Sequence, residues 1–111
     1  MQKTLVFLEN PAMRLSQDQI YAIKHTAQTV LGDDARVTLF GSRTDDGRRG
    51  GDIDLLFETP HHLHDRVAAQ GQIYVALIRR LGDRKLDVLL KDAVTPKAPV
   101  MRIARETGTL L

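Results

Sequence analysis

The chain has no cysteine. That excludes a disulfide framework and any zinc–thiolate site. It has no uninterrupted apolar run near the eighteen residues a membrane-crossing helix needs. The opening segment, Met1 to Glu9, contains an apolar stretch too short for a secretory leader and no small-residue cleavage site. These absences point to a cytoplasmic location. Walker A and Gly-x-Gly-x-x-Gly patterns are also lacking, so neither common phosphate-binding loop is present. The formal charge is only +2, which does not by itself make a nucleic-acid binder. Arg43, Arg48, Arg49, Arg79, Arg80 and Arg84 either gather near a phosphate or stand as solvated surface charges.

What remains is an ordinary globular composition in 111 residues, with 42% apolar and 27% charged side chains. Length and composition together fit one domain, residues 1–111. A core of that size is adequate and marginally stable. A separate substrate domain has little room, so an enzyme of this size would draw part of its substrate site from another chain.

Local patterns give the order of elements. Residues 4–8 are an edge strand, or residues 1–12 are an extension ahead of Met13, because Asn10-Pro11 breaks the chain there. Ser16 with Gln19 three residues on makes a capping box. Ile20, Ile23, Ala27, Val30 and Leu31 follow at helical spacing, and Gly32 ends the helix. Arg36 to Phe40 reads as a buried strand, and Asp52 to Glu58 as a second. His61, His62 and His64 sit at a loop-to-helix junction without an evident further ligand, and read as exposed. Asp65 to Leu81 is helical, with Val67, Ile73, Tyr74, Leu77, Ile78 and Leu81 as its core face. Lys85 to Leu90 is a third strand. Val100 to Glu106 is a short last helix stopped by Gly108. The expected fold is α/β (α+β): a small mixed sheet flanked by helices.

The chemistry concentrates between Leu39 and Glu58, with one residue further on. In a strand, Asp52 and Asp54 point to one face about 6.5–7 Å apart. Carboxylates so placed repel unless a cation lies between them, and Mg²⁺ is the hard cation that takes carboxylate, water and phosphate oxygens. Asp87 lies inside a strand expected to be buried, where an unpaired carboxylate costs several kcal/mol or is protonated. Beside the second strand it completes a three-carboxylate cluster able to hold two metal ions. The alternative is that these aspartates mark strand ends, which suits Asp52 better than Asp54 or Asp87. Gly41-Ser42 after the first strand offers backbone N–H groups and a hydroxyl to phosphate. Alone, such a pair is usually a turn.

Leu39-Phe40-Gly41-Ser42-Arg43 with Gly50-Gly51-Asp52-Ile53-Asp54-Leu55-Leu56 resembles the signature of the DNA-polymerase-β-like nucleotidyltransferase superfamily, and within it the minimal nucleotidyltransferases of bacteria and archaea. The resemblance extends from about Met13 and includes Asp87. It implies a nucleotidyltransferase fold that moves a nucleoside monophosphate from an NTP, AMP from ATP foremost, to a hydroxyl. Gly41, Ser42 and Arg43 match the nucleotide-binding positions. Asp52 and Asp54 match the metal ligands, and Asp87 the third carboxylate, which helps bind metal and activates the acceptor. The chain departs at Gly51, where many members have serine, and in the loop from Thr44 to Arg49. Both departures bear on nucleotide or acceptor choice. The minimal family is often encoded beside an all-helical partner of the HEPN type, as the antitoxin of a toxin–antitoxin pair. That relation implies an acceptor on the partner protein and a homo- or hetero-oligomer. Two other readings remain: a non-catalytic module that neutralises a partner by contact, and transfer to a small molecule or RNA with help from a partner subunit.

Overall fold

A computed structural model describes residues 15–41, 53–82 and 85–111. The expected strand at residues 4–8, the loop from Thr44 to Gly51, and Ser42, Arg43, Asp52 and Arg84 lie outside the described residues. The described chain is an α+β fold of three helices and a four-stranded mixed sheet. Its elements are α1 (Gln17–Leu31), β1 (Arg36–Phe40), β2 (Ile53–Glu58), α2 (Arg66–Leu81), β3 (Leu86–Lys91), α3 (Pro99–Thr107) and β4 (Thr109–Leu110). No helix among the described residues is long and apolar enough to cross a membrane.

Helix α1 starts where its first turn finds partners. Gln19 N–H donates to Ser16 Oγ at 3.1 Å, and Ser16 N–H donates to Gln19 Oε1 at 2.8 Å. It ends as Gly32 N–H donates to Gln28 O at 3.0 Å. Helix α2 starts at Asp65, whose carboxylate accepts from Ala68 N–H at 3.0 Å. Helix α3 has no side-chain cap, but Pro99 fills its first turn, where a missing N–H costs nothing.

The sheet order is β3-β2-β1-β4. β2 runs antiparallel to β1 and parallel to β3, with α2 as the crossover. The side-chain period of two separates the sheet's faces. Ile53, Leu55 and Phe57 share one core cluster with Val37, Leu39, Val88, Leu90, and with Ile23, Ala27, Ile73 and Leu77 of α1 and α2. Leu56, between them in sequence, belongs to a second cluster with Met101 and Ala104 of α3. Two helices therefore cover one face and one helix the other. Leu55, Leu56 and Phe57 are all fully buried, because β2 is central and covered on both sides. Each such side chain contributes roughly 1.5–3 kcal/mol through burial.

Two details differ from the sequence reading. Val67 and Tyr74 were expected in the core face of α2 but are exposed, 74% and 43% respectively. The helix packs through a narrower stripe, Ile73, Leu77 and Leu81. That stripe continues toward the N-terminus as Gln70 and Arg66, polar residues that meet backbone carbonyls of β3. Gln70 Nε2 donates to Val88 O at 2.5 Å and Arg66 Nη1 to Leu90 O at 3.3 Å. Edge-strand carbonyls are satisfied from within the chain. The second difference is β4, which the sequence did not announce. It pairs Thr109 with Leu39 and Leu110 with Thr38. The turn into it needs a residue without a side chain. A Cβ on Gly108 would come 2.5 Å from Ala104 O and 2.6 Å from Leu39 O.

Candidate functional site

The candidate residues within the described chain converge at one end of the sheet. Phe40 is opposite Asp54 in the antiparallel pair, and Asp54 is beside Asp87 in the parallel pair. Because partners in register share a face, both carboxylates project from the face that carries α3, at the end away from Glu58 and Lys91. Neighbouring strands lie about 4.8 Å apart, so the two groups are within reach of one small ion. Like charges side by side on adjacent strands are unfavourable without such a counterion.

Gly41 follows Phe40 directly and closes this end of the row. Its φ is +89°, in the region that favours glycine. A Cβ there would run into the carboxylate of Asp54, with Asp54 Cγ at 2.7 Å. The Gly41 backbone therefore lies directly against the Asp54 side chain.

Asp54 is half-buried and Asp87 is exposed. The exposure of Asp87 corrects the expectation of a buried third carboxylate. Among the described residues β3 is an edge strand, and α3 rests on Leu56 rather than on the end of the face where Asp87 stands. Asp87 is thus open to solvent, and it stands beside Asp54. Among the described residues no three metal-ligating side chains meet. Asp52, the expected further ligand, and Ser42 and Arg43, the expected phosphate contacts, lie outside the described residues. The donors present, two carboxylates on one face, suit a hard cation such as Mg²⁺.

On the same face, Phe40, in the row beside Asp54, and Leu89, next to Leu56 on β3, pack against the second cluster of Leu56, Met101 and Ala104. At the other end of β2, Arg105 Nε of α3 is 3.8 Å from Glu58 Oε1. Arg80 is not beside the carboxylates. Its Nη2 lies 3.4 Å from His25 Nδ1, on the α1–α2 layer behind the sheet. His61, His62 and His64 are exposed, as the sequence suggested, and His61 Nε2 lies 2.8 Å from Asp34 Oδ2.

The sequence reading passed over Asp92, the most deeply buried acidic side chain among the described residues. Its carboxylate accepts from Leu63 N–H at 3.0 Å, Val94 N–H at 3.2 Å, Thr95 N–H at 2.9 Å and the Thr95 hydroxyl at 2.5 Å. The Thr95 hydroxyl bond and then the Leu63 amide bond hold its pKa well below the usual carboxylate range, against the opposing effect of burial. With every bond made to neighbouring loops, Asp92 ties the 61–63 turn to the segment leading into α3. The Asp-x-x-Thr spacing is the signal that marks such a turn.

The sequence matches no protein-family model and no curated protein.

Proposed function

We propose that the protein is a Mg²⁺-dependent nucleotidyltransferase. It would move AMP from ATP to a hydroxyl on a partner protein, as the antitoxin of a HEPN-type toxin–antitoxin pair acting in the cytoplasm. The observation that carries the reading is the register that sets Asp54 beside Asp87 with Gly41 packed on Asp54. It joins three separately read sequence signals at one end of one sheet.

In this reading Asp52 and Asp54 would hold the metal, two ions when the site is fully loaded, and Asp87 would share in that role. Bound Mg²⁺ supplies charge neutralisation along the triphosphate and at the leaving group. Gly41 and Ser42 present backbone N–H groups and a hydroxyl to the β- and γ-phosphates, and Arg43 adds a cation. Asp87 accepts the proton of the acceptor hydroxyl. The acceptor oxygen forms a bond to the α-phosphorus, the bond from that phosphorus to the bridging oxygen breaks, and pyrophosphate leaves. The exposure of Asp87 supports this division of labour. A base that meets a hydroxyl on another protein has to be reachable from solvent, whereas Asp54, half-buried against Gly41, is held for a fixed ligand.

The test uses ATP labelled at the α-phosphate, Mg²⁺, and the purified product of the adjacent reading frame. Label should pass to that protein, and Asp54→Ala or Asp87→Ala should reduce transfer by about a hundredfold or more. Equal transfer by both variants would sink the catalytic reading. An Asp54→Ala/Asp87→Ala double variant that still protects cells from the partner would establish neutralisation by contact instead.

A further inference from the structure

The bonds between β2 and β3 fix which way each backbone group of β3 points. Ile53 N–H donates to Lys85 O and Thr59 N–H to Lys91 O, both at 3.0 Å. Bonding residues alternate in a parallel pair, so Lys85, Asp87, Leu89 and Lys91 turn their N–H and C=O groups toward β2. Leu86, Val88 and Leu90 turn theirs to the outer side, where no further strand lies among the described residues. Two polar side chains of α2 meet that outer row. Gln70 Nε2 donates to Val88 O, and Arg66 Nη1 donates to Leu90 O. The spacings match: four helical residues rise about 6 Å, and two strand residues about 6.6 Å.

We infer that Gln70 and Arg66 guard this edge: by occupying the Val88 and Leu90 carbonyls they keep β3 from pairing with β3 of a second copy of the chain. A second copy is the strand that fits, because the outer row is self-complementary. An antiparallel pairing with Val88 of one copy opposite Val88 of the other sets each Leu86 opposite a Leu90, and every such pair could exchange both bonds. Helix α2 would give that joint an apolar cover. Arg80, which meets His25 of α1, lies about 60° to one side of the Ile73–Leu77–Leu81 stripe. Tyr74 and Val67 lie about 60–80° to the other side, away from α1, and both are exposed. The guard withdraws the acceptors that an incoming strand's N–H groups need, and Arg66 adds a charge to the edge. In the same pairing Asp87 would stand beside Leu89 of the other copy, so the guard also keeps that flank of Asp87 clear. Nothing in this role depends on the chemistry of the Asp54–Asp87 row.

The test compares the full chain with its Gln70→Ala/Arg66→Ala variant by sedimentation and by amide hydrogen exchange. In the wild type, exchange at Val88 and Leu90 should not change with protein concentration. The variant should pair two copies with a dissociation constant at least about a hundredfold lower than any wild-type self-association. Its Val88 and Leu90 amides should gain protection as concentration rises. Adding Val88→Pro removes an N–H that points away from β2, so it should abolish the new association and leave the β2–β3 ladder in place. Gln70→Ala alone frees one carbonyl and should give a weaker association; it carries the test if the double variant does not fold. A folded variant that sediments as the wild type does up to about 1 mM would overturn the guard. So would an association that survives Val88→Pro or leaves the two amides unprotected, since that is clumping of a loosened helix. Concentration-dependent protection of Val88 and Leu90 in the wild type would overturn it as well, because β3 would then pair in spite of Gln70 and Arg66.

Discussion

Replacing Gly41 with alanine tests the core of the site without touching a carboxylate. Two costs follow from the structure. First, φ at +89° is the backbone region that L side chains rarely adopt, and occupying it costs about 1–2 kcal/mol. Second, the new methyl group meets the Asp54 carboxylate, and clearing it by shifting backbone or forcing a poor rotamer costs about 1–3 kcal/mol. The sum, about 2–5 kcal/mol, is a large part of the stability of a domain this size. The two costs separate in a double-mutant cycle. Asp54→Ala removes Oδ2 and Cγ, the two nearest atoms, and leaves only Asp54 Cβ at 3.0 Å. In that background Gly41→Ala should cost only its backbone share, so the cycle should show a coupling of about 1 kcal/mol or more. Urea unfolding followed by far-ultraviolet circular dichroism of the four proteins measures it. Additivity within about 0.5 kcal/mol would refute the packing of Gly41 on Asp54, and with it the main observation behind the proposed function.

Asp92 and Gly71 give two further tests. Asp92 has a folded pKa below its unfolded value of about 3.9, so its hydrogen bonds contribute full stability above that pH and lose it as the pH falls toward the folded value. Asp92→Asn should lower the urea midpoint at pH 7 and flatten its fall below about pH 4; matching slopes in wild type and variant would contradict the assignment. Gly71 lies inside α2, exposed, with nothing within 4 Å of an added Cβ, so Gly71→Ala should stabilise the protein by about 0.5–1 kcal/mol. A destabilised Gly71→Ala variant, read from the same urea curves, would mean that this face of α2 is covered.

The parts of the fold that were legible in the sequence are those whose cause is local. The capping box of Ser16 and Gln19 is complete within four residues, and it formed as expected. The strands expected at Arg36 to Phe40 and Asp52 to Glu58 are equally plain, and they form as Arg36–Phe40 and Ile53–Glu58. The errors arose where distant contacts decide. The contact stripe of α2 begins with Arg66 and Gln70, so hydrophobicity alone drew its face too broadly and took in Val67 and Tyr74. β4 has only two residues and no period to detect; it exists because Gly108 lets the chain turn against β1. Asp87 looked buried because its neighbours are apolar, yet edge position and the placement of α3 leave it open. Of the candidate site, the pairing of Asp54 with Asp87 and the packing of Gly41 could be suggested by residue types, but only the strand register makes them neighbours.

That register has a consequence for how the chain avoids wrong structures. β2 is apolar enough to be buried on both faces, so hydrophobicity alone would tolerate sliding it by one residue against β3 or β1. Asp54 does not tolerate it. A one-residue slip would turn its carboxylate into the layer of Ile23, Ile73 and Leu77, where an unpaired charge is expelled. The carboxylate that the proposed function would use thus also penalises a misaligned sheet. Removing it for function's sake, as in Asp54→Ala, also removes a penalty on misaligned sheets. A variant made to silence the chemistry would then fold with less certainty about which way its central strand faces.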